Sequence, residues 1–166
     1  NIEDLSLLFQ VRMLRAKNEA ALVFADGGRV SVTFARRGLK LDDPDFASIM
    51  TCAEGAVLKL TETSVPRLRT DRAIRFGDAT IRSGNQSPGV TGAYSIWLKR
   101  VSGGWRLVFN HESDIWGSQH DPAFDAGEVD LIYSKGESAS ESFGVSLVPT
   151  GADGGRLVIV WGPHEW

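Results

Sequence analysis

The sequence predicts a mainly antiparallel β protein, a single β-sandwich or jelly-roll-like domain preceded by a short helix. Apolar residues alternate with polar ones in many short runs, the period of a strand with one face on a core. The runs are separated by glycine-rich turns at Asp26-Gly27-Gly28, Ser102-Gly103-Gly104 and Pro149 to Gly155, which supply the positive φ that tight hairpins need. Many short strands with few helices are the pattern of sandwiches and jelly rolls.

Along the chain, Asn1 to Lys17 reads as a helix. Ile2, Leu5, Phe9 and Met13 fall on one face, Asn1 can cap it, and Glu3 and Asp4 stand at its start with Arg12, Arg15 and Lys17 at its end, as the helix dipole favours. The chain thus divides into a helical extension over 1–17 and a β-sandwich domain over 18–166. The apolar face of the extension either packs on the sheet or docks on a protein partner or membrane surface. Ala20 to Phe34 is a hairpin closed by Asp26-Gly27, and Arg36-Arg37 is a solvated turn. Asp43 followed by Pro44 reads as a cap and first helical residue of a short helix through Met50. Val57–Leu60, Arg67–Thr70, Ala73–Phe76 and Thr80–Arg82 are short strands, and Ser83–Gly89 is an exposed loop.

The central stretch runs from Tyr94 to Asp121. Tyr94, Ile96 and Leu98 alternate with Ser95, Trp97 and Lys99. Trp97 makes the second face apolar too, so this strand is central and covered on both sides. Trp105, Leu107 and Phe109 form the return strand, and His111 to Asp125 reads as a long loop rich in Trp, Asp and His. Strands follow over Glu128–Tyr133, through Phe143, Val145 and Leu147, and through Leu157, Ile159 and Trp161, with a polar turn over Lys135–Ser140.

Gly92, Tyr94, Ser95, Ile96, Trp97, Trp105, Asn110, Trp116, Gly117, Asp121, Pro122, Asp125 and Gly127 occur in an order that resembles the bacterial domain of unknown function 2911 family. The resemblance spans about residues 14 to 163, is most specific over 92–127, and is weaker through Arg29–Phe34, Arg69–Asp71, Phe76–Asp78 and Gly155–Gly162. It implies a mostly β domain, commonly exported from a bacterial cell, with no established chemistry. The family usually has Lys where His111 stands and Tyr where His120 stands. Its Trp-Arg-x-Gly-x-Asn-Glu-Ala-Thr run is replaced here by Leu58-Lys59-Leu60-Thr61-Glu62-Thr63-Ser64-Val65-Pro66. A function carried by that run would be lost in this chain.

The bulk properties narrow the choice. A chain of 166 residues with 42% hydrophobic residues buries a full core. A net charge of −3 argues against a nucleic-acid partner. One cysteine, Cys52, excludes an internal disulfide. No apolar run approaches the ~20 residues that span a bilayer, so no transmembrane segment is expected within these residues. The chain begins at Asn1 rather than Met, which leaves room for a removed signal peptide or anchor.

Three constellations are candidates for chemistry. His111 and His120, near Glu112, Asp114 and Asp121, are candidate metal ligands, although their spacing matches no zinc motif. Asn110, Trp116, His120 and Asp121 are candidates for binding a carbohydrate-like ligand. Trp97, Trp105 and Trp161 are expected in the core. Ser95, Ser113 and Ser118 lie near the histidines, but none sits in a Gly-x-Ser-x-Gly elbow. No cofactor is implied. The leading expectation is a non-catalytic accessory subunit of a cell-envelope assembly, periplasmic or otherwise exported and either free or membrane-attached, docking through Ile2, Leu5, Phe9 and Met13. The alternatives are a small-ligand module on the Asn110–Asp121 loop and a metal-dependent enzyme on His111 and His120.

Overall fold

A computed structural model describes residues 17–35, 42–83, 93–117, 119–151 and 153–166. The expected helix with Ile2, Leu5, Phe9 and Met13, the Arg36-Arg37 turn and most of the Ser83–Gly89 loop lie outside these residues. Lys17 is the first residue of a strand rather than the end of a helix.

The main sheet grows from two tight hairpins. β1 (Lys17–Val23) returns as β2 (Arg29–Ala35) through Gly27 at φ 87°. β7 (Ala93–Val101) returns as β8 (Gly104–Asn110) through Gly103 at φ 76°. Both turns need a residue without a Cβ at that position. β4 (Arg67–Thr70) joins the hairpins, and β10 (Asp125–Leu131) adds the far edge. The resulting order is β1-β2-β4-β7-β8-β10, antiparallel throughout. The alternation expected for β7 is present and β7 is an interior strand, as Trp97 implied.

Register places one set of apolar residues on one face. Val32 opposes Leu68, Leu68 opposes Tyr94, Ile96 opposes Phe109, and Leu98 opposes Leu107. All of these are buried in one large cluster. The cluster is completed by the long hairpin of β11 (Ser134–Pro149) and β12 (Gly155–Glu165), through Phe143, Val145, Ile159 and Trp161. The other face carries a smaller cluster of Val65, Trp97 and Val108. Beyond it, Lys99 bonds Glu128 at 2.5 Å, and Arg106 reaches Glu128 at 3.4 Å and Asp130 at 2.8 Å. The bond from Lys99 holds the Glu128 carboxyl below its ordinary range.

α1 (Pro44–Thr51) starts as its sequence implies: the Asp43 carboxylate accepts from the Asp45 and Phe46 amides and Pro44 occupies the first turn. Its Ile49 and Phe46 reach the large cluster.

Several elements differ from expectation. The strand expected over Val57–Leu60 lies later, as β3 (Leu60–Ser64), and Val57 makes only an isolated bridge to Lys99. β5 (Ile74–Phe76) and β6 (Ala79–Ile81) form a separate small hairpin. The loop after Asn110 contains β9 (Trp116–Gly117), which pairs with β3, and a 3₁₀ turn at Pro122–Phe124. The expected polar turn over Lys135–Ser140 is the first part of β11, whose register slips between Lys135 and Ser140 and again before Gly144. Polar residues there mark irregular pairing rather than a chain reversal. No helix among the described residues is long and apolar enough to cross a membrane.

Candidate functional site

Asn110 ends β8 and is fully buried. Its two N–H groups donate to the Asp121 carbonyl and to Asp125 Oδ1, both at 2.8 Å. Its Oδ1 accepts from the Glu112 amide at 2.8 Å. One side chain therefore ties down both ends of the following loop. His120 Nε2 lies 2.8 Å from the same Asp125 Oδ1, and its ring packs on Trp97 with centroids 5.1 Å apart. Asp121 caps the 3₁₀ turn by accepting from the Ala123 amide at 2.9 Å.

The sheet holds the loop from beneath. Ser95 Oγ donates to the Glu112 carbonyl at 2.7 Å and accepts from Trp97 Nε1 at 3.0 Å. Arg67 donates from Nε to the Ser113 carbonyl and from Nη2 to Asp114 at 3.2 Å. The His111 amide donates to the Phe124 carbonyl at 2.9 Å. Buried polar groups must be satisfied, and here the loop and the interior strands β4, β7 and β8 bond one another.

Of the residues expected to bind a ligand, Asn110, His120 and Asp121 are brought together: Asp125 is the common partner of Asn110 and His120, and the Asp121 carbonyl accepts from Asn110. Trp116 lies in β9 opposite Ser64. His111 and His120 are not brought to one point. The His111 ring packs on Tyr94 at 5.4 Å and the His120 ring on Trp97. Tyr94 and Trp97 point to opposite faces of β7, one in the large cluster and the other in the small one. Among the described residues no group of three or more His, Cys, Asp or Glu could hold a metal ion.

A second polar group is buried near the chain's last residues. His164 is 3% exposed, its ring clusters with those of Tyr133 and Trp166 at 6.0 and 5.8 Å, the latter two being 5.6 Å apart, and its Nδ1 lies 2.8 Å from the Tyr133 hydroxyl. Burial, with a smaller contribution from the Lys135 charge, lowers its pKa below the ordinary 6.5. The unfolded chain then binds a proton there that the folded chain resists, so stability falls as pH drops through 6.5 toward the folded value. The urea midpoint is expected to fall between about pH 7.5 and pH 5.5, and His164→Gln, which keeps an acceptor for Tyr133, should flatten that slope. An unchanged slope in the variant would assign it to other groups.

An open cleft lies elsewhere. A cleft of about 390 Å³ is bounded by the end of the β1–β2 hairpin, the segment 72–76 including β5, and the tip of the β11–β12 hairpin. Leu22, Phe24, Val30, Ile74, Phe76 and Leu157 provide apolar lining, with Arg72, Arg75 and Asp153 as its charged members. Arg72 is fixed in place: it bonds Asp26 at 2.6 Å, lies 3.6 Å from Asp71, and stacks over the Phe24 ring at 4.9 Å. It occupies a slot that a side chain at Gly28 would fill. Sequence reasoning missed this cleft because its walls come from segments more than forty residues apart in the chain, and none of them carries a motif.

The fold and these sites define a mainly antiparallel β scaffold with a self-satisfied loop at one place and an open apolar cleft at another. Residues 67–166, more than half of the chain, match the family described as protein of unknown function (DUF2911), and the chain belongs to that family. The match contains the Tyr94–Asp125 stretch and begins at Arg67, so the weaker likeness at Arg29–Phe34 lies outside it. No curated protein and no solved structure matches the chain.

Proposed function

We propose that this chain is a non-catalytic binding protein whose ligand occupies the cleft at the β1–β2, β5 and β11–β12 junction. The observation that carries the reading is the cleft itself. Its volume of about 390 Å³ lies within the ~300–1,000 Å³ range of small-ligand sites, and it combines apolar walls with a few polar groups. The Asn110–Asp121 loop is the weaker candidate for a ligand site because Asn110, Asp121 and Asp125 are already bonded to one another or to the loop backbone.

Nile red, a neutral apolar dye, tests this reading. It is expected to bind saturably, and Ala73→Trp, which places a large ring at an exposed position lining the cleft, should weaken binding at least about tenfold, a loss of about 1.4 kcal/mol. The urea midpoint should stay unchanged. Equal dye binding by both chains would remove the cleft as the site.

The accessory-subunit reading is a second proposal. Its support is the amphipathic pattern of Ile2, Leu5, Phe9 and Met13, and the exported location suggested by the family resemblance belongs with it. Native mass in a gently solubilised extract tests it. A particle with the mass of a single copy of the native chain would count against an assembly.

A further inference from the structure

The cleft carries chemical detail that narrows its ligand. β5 pairs with β6 on one side only, and β6 packs beside β10. β5 and β6 are joined by the two-residue turn Gly77-Asp78, with Gly77 at φ 52° and Phe76 opposite Ala79. In such a hairpin the pair flanking the turn is a hydrogen-bonded one. Alternation then turns the Arg75 N–H and C=O away from β6, on the edge where no described strand pairs with β5. The lining runs without a break from Arg72 to Phe76, so the cleft extends along this edge.

Charge adds a second constraint. The Arg72 guanidinium is compensated by Asp26 and Asp71. Arg75 and Asp153 are exposed, and neither forms an ion pair with a described residue. They come from different walls: Arg75 from β5, and Asp153 from the turn between β11 and β12. Among the described residues the cleft therefore offers an apolar interior, a strand edge with an unpaired donor and acceptor, and one cation and one anion without an ion-pair partner.

We infer that the ligand is a short apolar peptide with free ends, lying as an added strand along β5, with its carboxylate at Arg75 and its ammonium at Asp153. This rests on the cleft being the binding site. A fatty or purely aromatic ligand would leave the strand edge and both charges unused. A simple anion would meet Asp153 in the same cleft, and of the two lining arginines Arg72 is already held by Asp26 and Asp71. A peptide answers all four features at once: side chains on the apolar wall, backbone on the strand edge, and a charge at each end. Addition of an extended peptide to an open sheet edge is a recurrent mode of recognition.

The test is displacement of Nile red from the full chain by the tripeptide Leu-Ala-Leu. The free tripeptide should displace the dye. Acetylating its amine or amidating its carboxylate should weaken displacement about fivefold each, the scale of a part-exposed ion pair. Asp153→Asn should remove the penalty of acetylation, and Arg75→Gln should remove that of amidation, because the partner charge is already gone. Both substitutions are at exposed positions and leave the core unchanged. If Nile red binds in the cleft but free and blocked tripeptides displace it equally, or none displaces it, the peptide assignment is wrong and the cleft reading stands. If displacement depends on the end charges of the tripeptide but not on Arg75 and Asp153, the assignment of the ends is overturned. Failure of Nile red to bind at the cleft removes both readings together. A doubly blocked peptide that binds best would point instead to an internal segment of a protein partner and would also overturn the inference.

Discussion

Replacing Asn110 with alanine is expected to lower the unfolding free energy by about 3 kcal/mol. The amide is fully buried and makes three bonds, to the Asp121 carbonyl, the Asp125 carboxylate and the Glu112 amide. Truncation leaves the loop backbone groups without their partner inside a folded region. The cost is set by leaving such groups unmet, at about 1–3 kcal/mol each, rather than by the smaller net gain of making each bond. Urea denaturation should show the loss as a lower midpoint at unchanged slope. Asn110→Asp should cost at least as much, since it removes both N–H donors and sets a second carboxylate beside Asp125. A loss below about 1 kcal/mol in the alanine chain would mean that water replaces the amide. Asn110 would then be free for the ligand role that its place in the sequence suggests.

That contrast shows what the sequence made legible. The strands around Asn110 could be read from period and turn chemistry, because Tyr94, Ile96 and Leu98 repeat every second residue and Ser102-Gly103 permits only a tight reversal. The cap at Asp43 was equally plain. All of these are local signals. Asn110, His120 and Asp121 were recognised as a group, but the group's role depends on Asp125 Oδ1, the shared partner of Asn110 and His120. Sequence proximity could not reveal that their polar atoms are already bonded to Asp125 or to the loop backbone. Nor could it show that His111 and His120 rest on opposite faces of β7, since a loop gives its side chains no fixed period. The polar run Lys135–Ser140 was misread for a related reason. Polarity marks exposure, and an exposed irregular strand carries the same composition as a turn. The cleft was least legible of all. Leu22, Ile74 and Leu157 meet only through the packing of three separate hairpins, and each residue alone is an ordinary core position.

The second large effect concerns the joint that sets this packing. Trp161→Ala is expected to cost about 4 kcal/mol, as for other large-to-small changes at buried aromatic residues. Trp161 is fully buried on β12, with its ring edge-on to Phe46 of α1 at 5.5 Å and to Phe143 of β11 at 5.9 Å. It therefore joins the helix and the long hairpin within the large cluster. Trp161→Phe retains part of both ring contacts and should cost less than half as much. The functional consequence follows from continuity of the hairpin. Leu147, Gly155 and Leu157 lie on its two strands and line the cleft, while Trp161 does not. Loosening the hairpin at Trp161 should weaken Nile red binding as well as stability. Ala73→Trp should weaken binding at least about tenfold at no cost to stability. The two variants separate the architecture of the cleft from its occupancy. If Trp161→Ala lowers stability by the expected amount but leaves dye affinity intact, the hairpin tip holds its position through its own packing on β1. The close approach of Gly155 to Leu22, where an added Cβ would come within 2.7 Å of the leucine, is the contact that would then account for it. Gly155→Ala would be the substitution that moves that wall of the cleft.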